Sequence, residues 1–320
     1  MNELDVVIAG VSINVQGDEI TSPLLHTFRK LLRGFLKKKS PEGVSAFLFY
    51  EHATTLRKFK GEPAVLSPGR DRETTRIINH VAKHYPVSEK TVLIGFLNGI
   101  LAYNVHSRKA LIFLFRSKGK NLLTGTIYKL LFILTSFLMV EDGKLLLHGA
   151  GLRFNGRGNL FLGASGAGKS TVSGFVPKED VLSDDATAVE KKGERFIIHA
   201  SPFSQVNVAD KKKPGHHLRK ATLTRLLFLK KDRNVALVPR DRQTALAEMI
   251  ARHVHYVELM DRELKTAAFN TCCDLCAAVP SFDLFFQKND GFLALFQAMH
   301  DSDNPTPGNH RVRSIASFAE

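Results

Sequence analysis

The chain has 320 residues, 44% of them hydrophobic, which is enough for a large core and about two domains and excludes a disordered chain. Its formal charge of +14, with a pI near 9.7, suits it to meet anions: nucleotide, nucleic acid, anionic lipid or acidic peptide. The sequence carries no RNA-recognition signature, zinc finger or clear helix-turn-helix pattern, so nucleic acid is not the expected partner. All three cysteines fall at Cys272, Cys273 and Cys276 and cannot staple distant segments, which points to a reducing, cytoplasmic location. The opening MNELDVVIAG lacks the basic start and long apolar stretch of a signal peptide.

Residues 5–16 (DVVIAGVSINVQ) read as one strand. Leu24–Lys39 reads as a helix, with Leu24, Leu25, Phe28, Leu31, Leu32, Phe35 and Leu36 at helical spacing. Its other face carries Arg29, Lys30, Arg33, Lys37, Lys38 and Lys39. Such a helix can lie on a membrane or a partner, or pack its apolar face on the core. Val44–Tyr50 follows as a strand and Arg70–His84 as a helix. Thr91–Phe96, Ile100–Asn104 and Ala110–Phe115 then read as antiparallel strands. Leu122–Val140 is long enough to cross a membrane. It contains Lys129, Thr124, Gly125, Thr126, Thr135 and Ser136, so a buried core helix, with no stable membrane insertion, is expected. The fold class is α/β (α+β), divided into an N-terminal mixed α/β domain over residues 1–118, of no assigned role, and a nucleotide-binding domain over 119–320.

The chemistry concentrates in the second part. Lys144–Gly149 and Leu152–Phe154 look extended, and Asn155-Gly-Arg-Gly158 reads as a hairpin turn. The strand Leu160–Leu162 then runs into Gly163, Ala164, Ser165, Gly166, Ala167, Gly168, Lys169, Ser170 and Thr171, a full GxxxxGK[ST] phosphate loop, followed by a helix that begins around Ser170 and continues through Thr171–Val176. Triphosphate oxygens must come close to backbone N–H groups, which a Cβ would obstruct, and glycines let the loop wrap the β-phosphate. The helix start adds a positive end, Lys169 a mobile charge, and Ser170 a hydroxyl for Mg²⁺. Val181–Asp185 (VLSDD) is an apolar run ending in paired acids. A carboxylate at a strand end beside the loop can hold Mg²⁺, and the metal would relieve the repulsion within the pair and free one acid to act as a base.

Downstream, Lys211–Lys220 (KKKPGHHLRK) is a basic stretch that could close over phosphates, receive an acidic peptide or remain a solvated loop. Thr224–Leu229 and Asn234–Pro239 read as strands, and Arg233 or Arg240 could stabilise charge on a transferring phosphoryl group. Thr244–His255 and Asp261–Ala278 read as helices. On the first, His253 and His255 would point apart; on the second, Cys272 and Cys276 would share a buried face rather than hold a metal.

The stretch LHGAGLRFNGRGNLFLGASGAGKST followed by LSDDATAV resembles the HPr kinase/phosphorylase family and its relative, phosphoenolpyruvate carboxykinase, over roughly residues 144–205. The resemblance implies a carboxykinase-like phosphate-loop domain with a mixed, largely antiparallel sheet. It implies that Gly163–Ser170 hold the phosphates of ATP, that Ser170 and Asp185 hold Mg²⁺, that Asp184 takes the acceptor's proton, and that His148 stands near the transferring phosphate. Where the HPr kinases proper carry Leu-Glu-x-Arg-Gly, this chain reads Phe196–Phe203 (FIIHASPF), with no Glu or Arg, which speaks against HPr as substrate and against the reverse phosphorylase reaction. The chain most resembles the loosely defined HPr-kinase-related proteins, some of which are encoded beside peptide-modification pathways and phosphorylate a peptide serine. The expected activity is therefore ATP-dependent transfer of the γ-phosphate to a hydroxyl, a Ser of a peptide or protein. The alternatives are a nucleotide-dependent peptide-binding module, or a phosphate-loop ATPase, for which neither a glutamine-bearing switch nor an ABC-type signature is found. A homo-oligomer is left open.

Overall fold

The computed structural model describes residues 3–18, 21–36, 44–51, 62–67, 72–83, 85–115, 120–203, 218–287, 289, 291–293 and 296. Lys37–Lys39, Arg70, His84 and Lys211–His217, which belong to expected elements, lie outside the described residues.

The first sheet has seven strands. β1 (Glu3–Ile8) and β2 (Val11–Gly17) pair antiparallel, where the sequence reads as one strand. The break is a two-residue turn at Ala9 (φ 48) and Gly10 (φ 81), and an alanine in the left-handed region gives no advance turn signal. α1 (Ser22–Leu31) buries Leu24, Leu25 and Phe28. It stops before Gly34, where a single 3-10 turn, Arg33–Phe35, follows; the expected helix to Lys39 is thus cut short by a poor helix former. β3 (Val44–Glu51), β4 (Ala64–Val65), α2 (Arg72–Ala82), β5 (Thr91–Phe96), β6 (Gly99–Asn104) and β7 (Lys109–Phe115) complete the unit in the order β1-β2-β3-β7-β6-β5-β4. β5, β6 and β7 are antiparallel as expected, but β3 runs parallel to both β2 and β7, so the sheet is mixed.

Alternation along the strands explains how both faces of this sheet are covered. In β7, Ala110, Ile112 and Leu114 enter the main core, while Leu111, Phe113 and Phe115 pack beneath α2 with Ile77, Ile78 and Val81. The main core continues through α3 (Lys120–Glu141) into the second sheet. α3 is apolar on every side, as a helix buried all round must be. It is the one helix among the described residues long and apolar enough to cross a membrane, and 78% of that apolar window is buried inside the protein. Its hydroxyls are satisfied internally: Thr126, Thr135 and Ser136 donate to the carbonyls of Leu122, Leu131 and Phe132, each one turn back.

The second sheet is formed by β8 (Lys144–Phe154), β9 (Arg157–Leu162), β10 (Val181–Ser183), β11 (Ala186–Lys192), β12 (Arg195–His199), β13 (Lys220–Lys231), β14 (Ala236–Pro239) and β15 (Ser281–Phe286). β8 and β9 form the expected hairpin, closed by Asn155 (φ 49) and Gly156 (φ 80) in the geometry that matches strand twist. Most pairings are antiparallel, but β9 and β15 both run parallel to β13. α4 (Lys169–Gly174) follows the loop after β9, and α5 (Arg242–Arg252) and α6 (Arg262–Ala278) start at Asp241 and Asp261, whose carboxylates accept the N–H groups of Thr244 and Leu264. Cys272 and Cys276 lie on the buried face of α6, where burial raises both thiol pKa values, that of Cys276 to about 11. The Phe137 side chain sits fully buried on α3 in the core shared by both sheets, so Phe137→Ala is expected to cost about 3–5 kcal/mol in a denaturant titration. A loss below about 1 kcal/mol would mean that α3 is not the common support of the two sheets.

Candidate functional site

The loop between β9 and α4 is held before any ligand arrives. The Ala167 N–H donates to the Ala164 carbonyl at 3.0 Å, and the Val172 N–H to that of Gly168 at 2.9 Å. Gly168 has φ 115, and a Cβ there would stand 2.5 Å from the Phe286 ring, so both backbone shape and packing demand glycine. α4 has only six residues, ending at Gly174 rather than Val176. An anion at this loop would therefore have only a short helix dipole to meet besides Lys169.

Lys169 is 8% exposed, and its ammonium donates to the carbonyls of Gly163 at 2.7 Å and Ala164 at 3.3 Å. Burial pushes its pKa down, and the charge of Asp185 works against that shift. Asp184 and Asp185 occupy the link between β10 and β11, where the Ser183 hydroxyl closes the bend on the Ala186 carbonyl at 2.8 Å. Asp184 is buried. Burial raises the Asp185 pKa, but the His148 hydrogen bond and the charges of His148 and Lys169 outweigh it, and the net shift is downward. His148 Nδ1 lies 3.2 Å from the Asp185 carboxylate. The loop residues Ser165, Gly166, Gly168, Lys169, Ser170 and Thr171 meet His148, Asp184 and Asp185 around one cavity of about 230 Å³. Gly163 and Ala164 meet Lys169 through their carbonyls, and Ala167 faces a neighbouring cavity.

Among the described residues no three His, Cys, Asp or Glu side chains converge closely enough to hold a metal by themselves. An ionised Asp185 and the exposed Ser170 hydroxyl on one wall of the cavity are hard oxygen donors. They fit Mg²⁺ that completes its shell with water and phosphate oxygens.

Two residues to which the sequence assigned nothing pack against His148 behind the cavity lining. α5 ends at Arg252, His253 caps it with backbone angles still in the helical region, and the chain then turns through a single bridge at Val254, so His253 and His255 do not share the expected helix. Val254 bridges Leu147 on the edge of β8 opposite β11. The backbones lock there: the His148 N–H donates to the His253 carbonyl at 2.7 Å, and the His255 N–H to that of Leu146 at 3.0 Å. The His255 ring meets the His148 ring edge-on at 5.3 Å, and the His253 ring lies 6.5 Å from it, nearly coplanar in orientation. His253 Nδ1 is 3.0 Å from the His148 carbonyl, which can only accept, so Nδ1 carries the proton. Burial lowers the pKa of His253 to about 4 and that of His255 to about 3. The β-branched residue between two histidines, as in a strand, was the available signal.

Of the two candidate arginines, Arg240 is locked: its guanidinium donates to Asp283 and Glu248 and lies over the Phe228 ring at 4.1 Å. Arg233 lies on the exposed rim of the cavity behind the loop.

The family model described as "ScmC: SynChlorMet cassette protein ScmC" matches residues 116–294. Among curated proteins no match is found. Among solved structures, the HPr(Ser) kinase/phosphatase from Coxiella burnetii is similar over 49% of this chain and 95% of its own, at 9% identity and a TM-score of 0.29. At that TM-score the likeness carries no argument.

His253 is neutral when folded and binds a proton near its ordinary pKa of about 6.5 when unfolded. Stability is therefore expected to be lost as pH falls from about 6.5 towards the folded value of about 4. Imidazole NMR should find His253 neutral at pH 5 with the proton on Nδ1. A charged ring at that pH would contradict the assignment.

Proposed function

We propose that this chain, which belongs to the ScmC family, is an ATP-dependent phosphotransferase that passes the γ-phosphate to a hydroxyl, with a serine of a peptide or protein as the acceptor. The observation that carries the reading is the single cavity in which the loop, Lys169, both aspartates and His148 meet. A cation held against two loop carbonyls at the wall of this cavity is the complement of a polyphosphate. Mg²⁺, when bound, neutralises charge on the phosphate oxygens.

In this reading Lys169 leaves the Gly163 and Ala164 carbonyls to follow the phosphate charge. Ser170 and Asp185 hold the metal, and the His148 hydrogen bond keeps the Asp185 carboxylate ionised and aimed. Asp184, buried at the cavity wall, takes the acceptor's proton as the hydroxyl oxygen attacks phosphorus. The bridging oxygen departs with the nucleoside diphosphate. His253 and His255 are neutral and packed against His148, so they add no competing charge beside that proton path. The basic charge of the chain favours acidic acceptors in encounter. The reading places the chemistry in a cytoplasmic setting, where ATP is plentiful.

Radiolabelled ATP with peptides encoded beside the chain tests the assignment. Asp184→Asn is expected to lower the transfer rate by about 10²–10⁴-fold while MgATP still binds. Lys169→Ala is expected to weaken binding and transfer together. Transfer by Asp184→Asn at the wild-type rate would remove that residue from its role. Steady hydrolysis with no acceptor would replace the kinase by an ATPase, and tight binding with no transfer to any candidate would leave a binding module.

A further inference from the structure

β9, β13 and β15 run parallel, so their carboxyl ends open on the same side of the sheet. Ligands of parallel sheets sit outside such ends. β9 delivers the phosphate loop there, β13 delivers Lys231–Arg233, and β15 delivers Phe286 and Gln287. Between them lies a second cavity of about 440 Å³, within the range of small-molecule pockets. Gly166, Gly168 and Thr171 line both this cavity and the one containing the aspartates. The loop is therefore a partition, and one ligand can lay its phosphates on one side and its body on the other.

The chemistry of the second cavity differs from that of the first. Ala167 and the buried Phe286 ring supply an apolar floor. Lys231, Asp232, Arg233 and Gln287 supply a polar rim. The rim is held in place by the Asp232 N–H on the Phe286 carbonyl at 3.1 Å and by the Asn234 N–H on the Asp232 carboxylate at 2.9 Å. The two cations of the rim would accept an anion, but phosphate alone needs no apolar floor. A planar base with donors at its edge satisfies all three elements, because guanidinium stacks on aromatic faces.

We infer that this cavity seats the nucleoside of the bound nucleotide, with the base stacked against the Arg233 guanidinium above the Phe286 and Ala167 floor. The inference rests on the phosphotransferase reading, which assigns the first cavity to the triphosphate. It also gives the Gly168–Phe286 contact a purpose, since the residue that floors the nucleoside seat packs against the loop that grips the phosphates.

Calorimetry with two ligands, MgATP and magnesium tripolyphosphate, tests it. Arg233 is exposed, so its variants are expected to fold. Arg233→Ala should weaken MgATP by about five- to tenfold and leave tripolyphosphate unchanged. Arg233→Lys keeps the charge but loses the planar face, and should weaken MgATP by nearly the same factor. Lys169→Ala should weaken both ligands. An Arg233→Ala variant that binds MgATP as wild type does, or that loses both ligands equally, overturns the seat. So does an Arg233→Lys variant with full affinity, since charge alone would then suffice. Failure of the wild-type protein to bind tripolyphosphate would instead remove the phosphate site, and the seat with it.

Discussion

A buried ammonium needs a reason. Lys169 is nearly out of water, and its charge rests on two backbone carbonyls of its own loop, with Asp185 as a counter-charge. Carbonyl dipoles compensate a cation only in part, so the arrangement costs stability that the fold must supply elsewhere. A polyphosphate entering the cavity offers a far stronger partner. The Phe286 ring stands directly behind Gly168, at the start of the helix that carries this lysine.

β8 is the element on which the rest of the site hangs. It carries His148, pairs with β9 so that the loop starts beside it, and pairs with β10 and β11 so that the two aspartates turn over it. Its free edge near Leu147 accepts 253–255, which brings two more histidines against the first. α3 packs against it: the fully buried Leu145 and Leu147 share a core with Phe137 and Leu138. Under the proposed phosphotransfer such support would matter, because that chemistry tolerates little misplacement of base and acceptor.

Much of the site was legible in the sequence because its chemistry is local. Loop, lysine and hydroxyl stand within nine residues, and the acid pair ends a short apolar strand. The hairpin before the loop was legible for the same reason, since Asn-Gly marks its turn. Four features were not. The β1–β2 turn uses Ala9 in a conformation alanine rarely adopts. The parallel placement of β3 between β2 and β7 depends on pairing across long separations, which no local pattern encodes. His253 and His255 were misplaced because helical periodicity was extended past Arg252; their packing against His148 is set by an edge of β8 more than a hundred residues earlier. The choice between Arg233 and Arg240 likewise required the fold, which pins Arg240 between Asp283 and Glu248.

A crystal structure with Mg²⁺ and a non-hydrolysable ATP analogue would test the central assignment most directly. The account predicts the triphosphate between the loop and the aspartates, with the Lys169 ammonium moved from the Gly163 and Ala164 carbonyls onto phosphate oxygens. An analogue bound elsewhere, with Lys169 still on those carbonyls, would contradict it.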